Sequence, residues 1–348
     1  MTLRSCIPAD NPVALAGFPG NTSGLPPRAY DTCLASNGQV EIIEVDKSDG
    51  WASISIIGAT GICALEISID DHPMWIYEVD GRHINPVLTD AVTVFNGNRY
   101  SAMIKLDQPI GQYTIRVANT GLNQLISSTA ILKYKGASGN NVISNPYINY
   151  AGINTSASVL LFSDSSIKPF PPSPPSQTAD NTLFLSINHV GAASKWTLNG
   201  KDMYPMSADT LKIPVLFDPT AQFPSNISDL IMTTKMGQWV DIIVLIDAPS
   251  LQPPHPLHRH STKAYIIGSG IGLFNYSTVA EAIQEIPENF NLVDPELRDG
   301  FTTIPNAEGP TWLAVRYQVT NPGVFLFHCR KCPKYDTIGK ENPNFLWS

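Results

Sequence analysis

Long apolar runs are missing from this 348-residue chain. Its longest, such as Ile242 to Ile246, fall far below the roughly 20 residues needed to cross a bilayer, so no membrane span is expected. Charge is scarce too. Only 15% of residues are charged, the net charge is −8, and Lys and Arg form no cluster. That argues against nucleic acid as a partner, because phosphate contacts need concentrated positive charge. Cysteine is sparse: Cys6, Cys33, Cys63, Cys329 and Cys332 are odd in number and scattered, unlike the disulfide framework of a small secreted domain. The one C-x-x-C, Cys329 to Cys332, lacks the second pair of a zinc site and the flanking βαβ pattern of a redox motif. Residues 1–10 hold one Arg and no apolar core, so they do not read as a secretory signal. Either the protein is intracellular or the chain lacks its true start. Sequons at Asn21, Asn154, Asn226 and Asn275 are about as many as chance supplies and do not decide the compartment.

Helix signals are also few, and strand signals take their place. Tyr100, Ala102, Ile104 and Leu106 alternate with other residues, as do Tyr113, Ile115 and Val117, and Leu313, Val315, Tyr317 and Val319. Val240 to Ile246 suits a strand buried on both faces. Asn96-Gly97 and Asn199-Gly200 are hairpin-type turn signals. One stretch reads as helix: Thr278 and Glu281 form a capping box, Val279, Ile283 and Ile286 share a face, and Pro287 stops it. Short strands with turns between them predict an all-β protein of β-sandwiches. The proline run Pro169 to Pro175 cannot enter a sheet interior and predicts a linker over residues 169–181. Residues 1–29 form an irregular lead-in, 30–168 and 182–334 one sandwich each, and 335–348 a tail without strand alternation.

Four of the seven histidines fall in two places: His255-Pro256-Leu257-His258-Arg259-His260, and His328-Cys329 on a strand some seventy residues later. Imidazole and thiolate together suit copper or zinc. On a strand, neighbours point to opposite faces, so His258 and His260 share one face, whereas His328 and Cys329 look opposite ways. One strand can thus serve two metal sites. A lone His is more often a hydrogen-bonded or surface side chain, and His72, His83 and His189 are read that way. Three histidines in six residues, with His-Cys downstream, favour a metal.

The run His255-Pro256-x-His258-x-His260, then Arg298-Asp299, then Asn321-Pro322-Gly323 leading into His328-Cys329, resembles the C-terminal domain of multicopper oxidases, fungal laccase-like and ferroxidase-like members above all. Asp71-His72-Pro73-Met74-Trp75-Ile76-Tyr77-Glu78-Val79-Asp80-Gly81 and Phe95-Asn96-Gly97-Asn98-Arg99-Tyr100 resemble that family's second domain. The resemblance runs from about residue 26 to residue 329. It implies two cupredoxin-like Greek-key sandwiches, the second and third domains of the family. It also implies copper: His255 and Cys329 at the type 1 ion, His258 at type 2, His260 and His328 at the type 3 pair. The family passes electrons from a small-molecule reducing substrate through the type 1 ion to a trinuclear cluster, where oxygen becomes water. Its members are commonly secreted or at the cell surface.

Two departures stand against the matches. The family reads His-Cys-His-x-x-x-His where this chain reads His328-Cys329-Arg330-Lys331-Cys332-Pro333-Lys334. Arg330 replaces a type 3 ligand and Lys334 the second type 1 histidine, and neither normally offers a neutral nitrogen lone pair. The family's first-domain His-x-His pairs have no counterpart before His255. The expectation is an impaired or inactive oxidase, or alternatively a non-catalytic cupredoxin-like protein for copper binding or assembly. Surfaces that a first domain covers in the family would favour self-association if bare.

Overall fold

Apolar alternation becomes paired strands in the computed structural model, which describes residues 40–59, 64–119, 127–139, 141–149, 152–189, 196–200, 232–246, 254–305, 309–330 and 346–347. The chain divides between Phe170 and Pro171 into two compact units.

The described residues of the first unit form β1 (Ile42–Val45), β2 (Trp51–Ile57), β3 (Leu65–Ile69), β4 (Met74–Val79), β5 (Arg82–Thr89), β6 (Ala91–Val94), β7 (Arg99–Lys105), β8 (Gln112–Asn119), β9 (Ser127–Tyr134) and β10 (Val142–Ile143). One sheet runs β1-β9-β8-β3-β6 with β10 on β8, the other β2-β7-β4-β5. Tyr100, Ala102 and Ile104 of β7 point inward, meeting Ile69, Val92, Tyr113 and Leu132 of the facing sheet in one core. The non-sequential strand order and the parallel β1–β9 pair make this a Greek-key cupredoxin-like sandwich. The hairpin expected at Asn96-Gly97 is not one. β6 pairs with β3 and β7 pairs with β2 and β4, so this turn crosses between sheets. Gly97 alone of the two has positive φ (74°), whereas a two-residue hairpin of type I′ needs both. The hairpin is Asp80-Gly81 between β4 and β5, with φ of 50° and 76°. His72 is buried as a structural side chain: Nδ1 donates to the Asp70 carbonyl (2.8 Å) and Nε2 meets the Tyr134 hydroxyl (2.8 Å). His83 is a surface residue stacked on Tyr77.

Glu66 on β3 is 3% exposed. One carboxyl oxygen accepts from Thr93 Oγ1 (2.7 Å); the other finds no donor among the described residues. Burial pushes its pKa up to about 7 from 4.5. A folded value above the unfolded one means stability that is complete below pH 4.5 and is lost as pH rises through about 7. Glu66→Gln, which keeps the shape and cannot ionise, is expected to change little near pH 4 and to stabilise by about 3 kcal/mol near pH 9. Urea melts at the two pH values check this, and an equal effect at both would exclude a charged Glu66 as the cause.

The second unit holds β11 (Asn181–His189), β12 (Trp196–Leu198), β13 (Trp239–Ile246), β14 (Pro256–Arg259), β15 (Ala264–Ile271), α1 (Val279–Glu285), β16 (Glu296–Arg298), β17 (Gly300–Thr302), β18 (Thr311–Gln318), β19 (Phe325–Cys329) and β20 (Leu346–Trp347). The sheet β12-β11-β13-β18-β15-β16 faces the sheet β17-β14-β19-β20. Ile242, Val244 and Ile246 of β13 face the sandwich core with Leu257, Phe301 and Phe327. Ile243 faces the other way, among Ile267, Trp312 and the α1 residues Val279 and Ala282. That is why Ile242 to Ile246 of β13 read as a continuous apolar run. The Thr278 hydroxyl caps α1 by accepting from the Glu281 N–H, while the Glu281 carboxylate accepts from the N–H of Ser277.

The proline-rich segment is held at each end by the unit it adjoins. Phe170 N–H donates to the His83 carbonyl (2.9 Å) on one side. On the other, Ser173 Oγ meets the Tyr265 hydroxyl (3.1 Å) and the Ser176 carbonyl accepts from Arg316 (2.8 Å). Asn181, the last residue of the expected linker, already pairs in β11. The expected tail contributes Leu346 and Trp347, whose backbone pairs antiparallel with Phe325 and Leu326, so strand structure occurs where no alternation predicts it. The lead-in over residues 1–29 lies outside the described residues, as do Cys6, Cys33, Cys63, Cys332 and Lys334.

Candidate metal centre

Strand pairing alone brings the two histidine motifs together. β14 and β19 run antiparallel with Leu257 opposite Cys329 and His258 opposite His328. Side chains alternate across a sheet, so one register sets two groups. Leu257, Phe327 and Cys329 turn into the apolar core. His258, His260 and His328 share the other face.

On that face the three rings lie close, with centroids 4.9 Å (His258–His260), 5.4 Å (His258–His328) and 5.4 Å (His260–His328) apart. One ligand nitrogen from each lies within 4.8 Å of the other two. His260 Nε2 and His328 Nε2 are 3.4 Å apart, the separation of about 3.4 Å that two imidazoles take on one tetrahedral ion. The outward nitrogens are set by what the inward ones bond. His258 Nδ1 sits 2.9 Å from the Asp299 carbonyl, and His328 Nδ1 3.3 Å from the Cys329 carbonyl. A carbonyl only accepts, so both Nδ1 atoms carry the proton and both Nε2 atoms present a lone pair. Burial lowers the pKa of His258 and of His328 to about 4 each; His260 is lowered by burial and then by the charge of Arg330. All three are neutral donors at neutral pH.

His255 lies just before β14, 2% exposed. Its N–H donates to Thr303 Oγ1 (2.9 Å) and its carbonyl accepts from the Thr303 N–H (3.1 Å), which pins the residue beside β17. Its Nδ1 is 3.9 Å from the buried thiol of Cys329. The five residues singled out from sequence therefore fall into two groups: three imidazoles on one face of the sheet, one imidazole and one thiol on the other.

Supporting residues escaped the motif reading. Arg259, between two outward histidines, turns inward and lays its guanidinium 3.6 Å from the centre of the Tyr317 ring. The alternation that places His258 and His260 together already consigns Arg259 to the core. Thr303 and the Asp299 carbonyl carry no such signal, since backbone and hydroxyl contacts depend on where β17 lands. Arg330, by contrast, is where the sequence puts it. Its N–H donates to the Pro256 carbonyl (2.7 Å), extending the β14–β19 ladder, and period-two alternation sends its side chain to the face of His328.

A multicopper oxidase profile matches residues 30–137, and a second matches residues 182–333. The chain is 37% identical to a multicopper oxidase of Phaeosphaeria nodorum over 94% of this chain and 53% of that protein. It is 39% identical to a laccase of Aspergillus fumigatus, over 94% of this chain and 55% of that one. The laccase of Botrytis aclada shares the fold with a TM-score of 0.67 at 20% identity, across 94% of this chain and 55% of that chain. The chain thus spans about half the length of the relatives it matches. With both profiles together taking in most of the sequence, and the paired histidine strands inside the second, the chain belongs to the multicopper oxidase family.

Proposed function

We propose that residues 30–168 and 182–334 are the second and third cupredoxin domains of a laccase-like or ferroxidase-like oxidase whose copper set is incomplete in this chain. The reading assigns His255 and Cys329 to type 1 copper, His258 to type 2, and His260 and His328 to type 3. The donor set fits that complement only in part. A blue copper site takes two imidazoles and one thiolate, and His255 with Cys329 supply one of each. Three imidazoles serve one ion well and cannot hold three. The observation that carries the reading is Arg330: on the histidine face, where the family motif has an imidazole, this chain has a permanent cation.

With a full copper set, the family chemistry is the oxidation of phenols, related aromatics or metal ions coupled to reduction of oxygen to water. In this chain it is expected to be impaired. After copper loading, oxygen uptake with a phenol or with ferrous ion should stay at the background of free copper, whereas a full-length laccase run in parallel turns over. Uptake at the laccase rate would overturn the reading. The convergence of three neutral imidazoles favours a second role, copper binding or assembly without catalysis. Retention of copper through desalting, without oxygen uptake, is the result that role requires.

A further inference from the structure

The three-histidine face differs from a cluster half in one respect that bears on metal choice. The nitrogens of His258, His260 and His328 gather within 4.8 Å, close enough to meet on a single ion. Next to them, on the same face and one alternation along β19, lies Arg330, whose backbone is tied to Pro256 at 2.7 Å. Asp299 Oδ1 sits 3.6 Å from His258 Nδ1, and Asp299 Oδ2 is paired with Lys263 Nζ at 3.2 Å. Arg330 thus puts a permanently charged side chain on the face that gathers the three imidazoles.

We infer that His258, His260 and His328 form a mononuclear site that holds one copper(I) ion, with Arg330 the residue that disfavours divalent ions. The inference deepens the copper reading above and rests on it only for the choice of metal. Repulsion from a fixed cation scales with the charge of the bound ion, so Arg330 costs a divalent ion twice what it costs copper(I). Coordination number acts in the same direction. Zinc on three imidazoles needs a water as its fourth ligand, whereas copper(I), with a filled d shell and a single charge, accepts three imidazoles alone.

Copper(I) and zinc(II) are both diamagnetic, so one experiment reads both. The full chain, labelled with ¹⁵N-histidine, is titrated with each ion, copper(I) under anaerobic conditions, and the imidazole resonances are followed. Once the thiols are saturated, one further equivalent of copper(I) is expected to shift His258, His260 and His328 together while His72 and His83 stay put. Arg330→Gln is expected to strengthen zinc(II) binding relative to copper(I) by about tenfold, the weight of one extra repelled charge in a partly solvated site. Arg330→Lys keeps the charge and should keep the parent ratio. Binding of copper(I) to thiols is common to all three chains and cancels in the comparison. His260→Ala, at an exposed position, should abolish the joint shift without disturbing the fold. The inference is overturned if the three rings respond at different equivalents, or if the zinc-to-copper(I) ratio is the same in Arg330→Gln as in the parent. Neither outcome depends on oxygen uptake, so failure here is separable from failure of the oxidase reading.

Discussion

Replacing Lys334 by His is expected to give the copper-loaded chain an intense absorption at about 600 nm that the parent lacks, the thiolate-to-copper band of a complete blue site. On the type 1 assignment proposed above, two of its three strong ligands are already together, with His255 Nδ1 3.9 Å from Cys329 Sγ. Both are pre-positioned by the fold, His255 through its two bonds to Thr303 and Cys329 through the β14–β19 register. Missing is an imidazole at the place where the family motif has one, five residues after the cysteine. The Cys329 thiol sits among apolar side chains, beside the His255 ring. With only one imidazole beside it, the copper–thiolate bond has no trigonal frame, and the parent is expected to stay pale. The visible spectrum after copper addition is the measurement. A strong blue band in the parent would show that another group already completes the site, and a colourless Lys334→His chain would show that the family position does not reach it.

A loss of about 3–5 kcal/mol of stability is expected from Arg316→Met, the cost of stranding one member of a buried ion pair. Arg316 on β18 stands opposite Asp241 on β13, and its Nε and Nη2 donate to the two carboxylate oxygens at 2.6 and 2.8 Å. Both side chains are 2% exposed. Burial raises the Asp241 carboxyl above the usual carboxylate range, and the guanidinium works against that rise. Without it the carboxyl takes up a proton or stays charged in an apolar sheet, and either is costly. Nη1 of Arg316 also holds the Ser176 carbonyl (2.8 Å), so the proline segment loses its anchor at the same time. The double variant Arg316→Met with Asp241→Leu should recover most of the loss, because it removes the stranded charge as well as its partner. Urea unfolding of the parent, single and double variants gives the comparison. A double variant no better than the single would place the cost in packing rather than charge.

Both results draw on features that differ in how far they can be read from the chain. The alternation in β7 and the apolar run in β13 predict their strands, because a side-chain period of two and a doubly buried strand leave marks in the local sequence. The histidine face is legible for the same reason: His258 and His260 are two apart, so any strand there must present them together. The Asn96-Gly97 turn shows the limit. Its composition matches a hairpin as well as Asp80-Gly81 does, yet one links strands of different sheets and the other joins neighbours. That choice rests on which strands pair, and pairing is non-local.

Buried polar residues mark the same boundary. Glu66, Ser68 and Arg316 fall at positions that alternation assigns to solvent, opposite inward-facing Ile67 and Val315, and all three are buried. The strand period says which residues share a face; it does not say whether a second layer covers that face. Covering comes from segments far along the chain, as Ser176 does for Arg316. For the metal centre the division is similar. The sequence by itself determined the ligand types, the face each would take, and the substitution of Arg330 for an imidazole, because spacing and alternation are properties of one strand. Only the tertiary structure decided that His258 meets His328, that Asp299 orients the His258 ring while Thr303 holds the His255 backbone, and that three nitrogens converge within reach of one ion. Those distances depend on the antiparallel register of β14 and β19, which brings together residues seventy positions apart, and on where β17 crosses beside them.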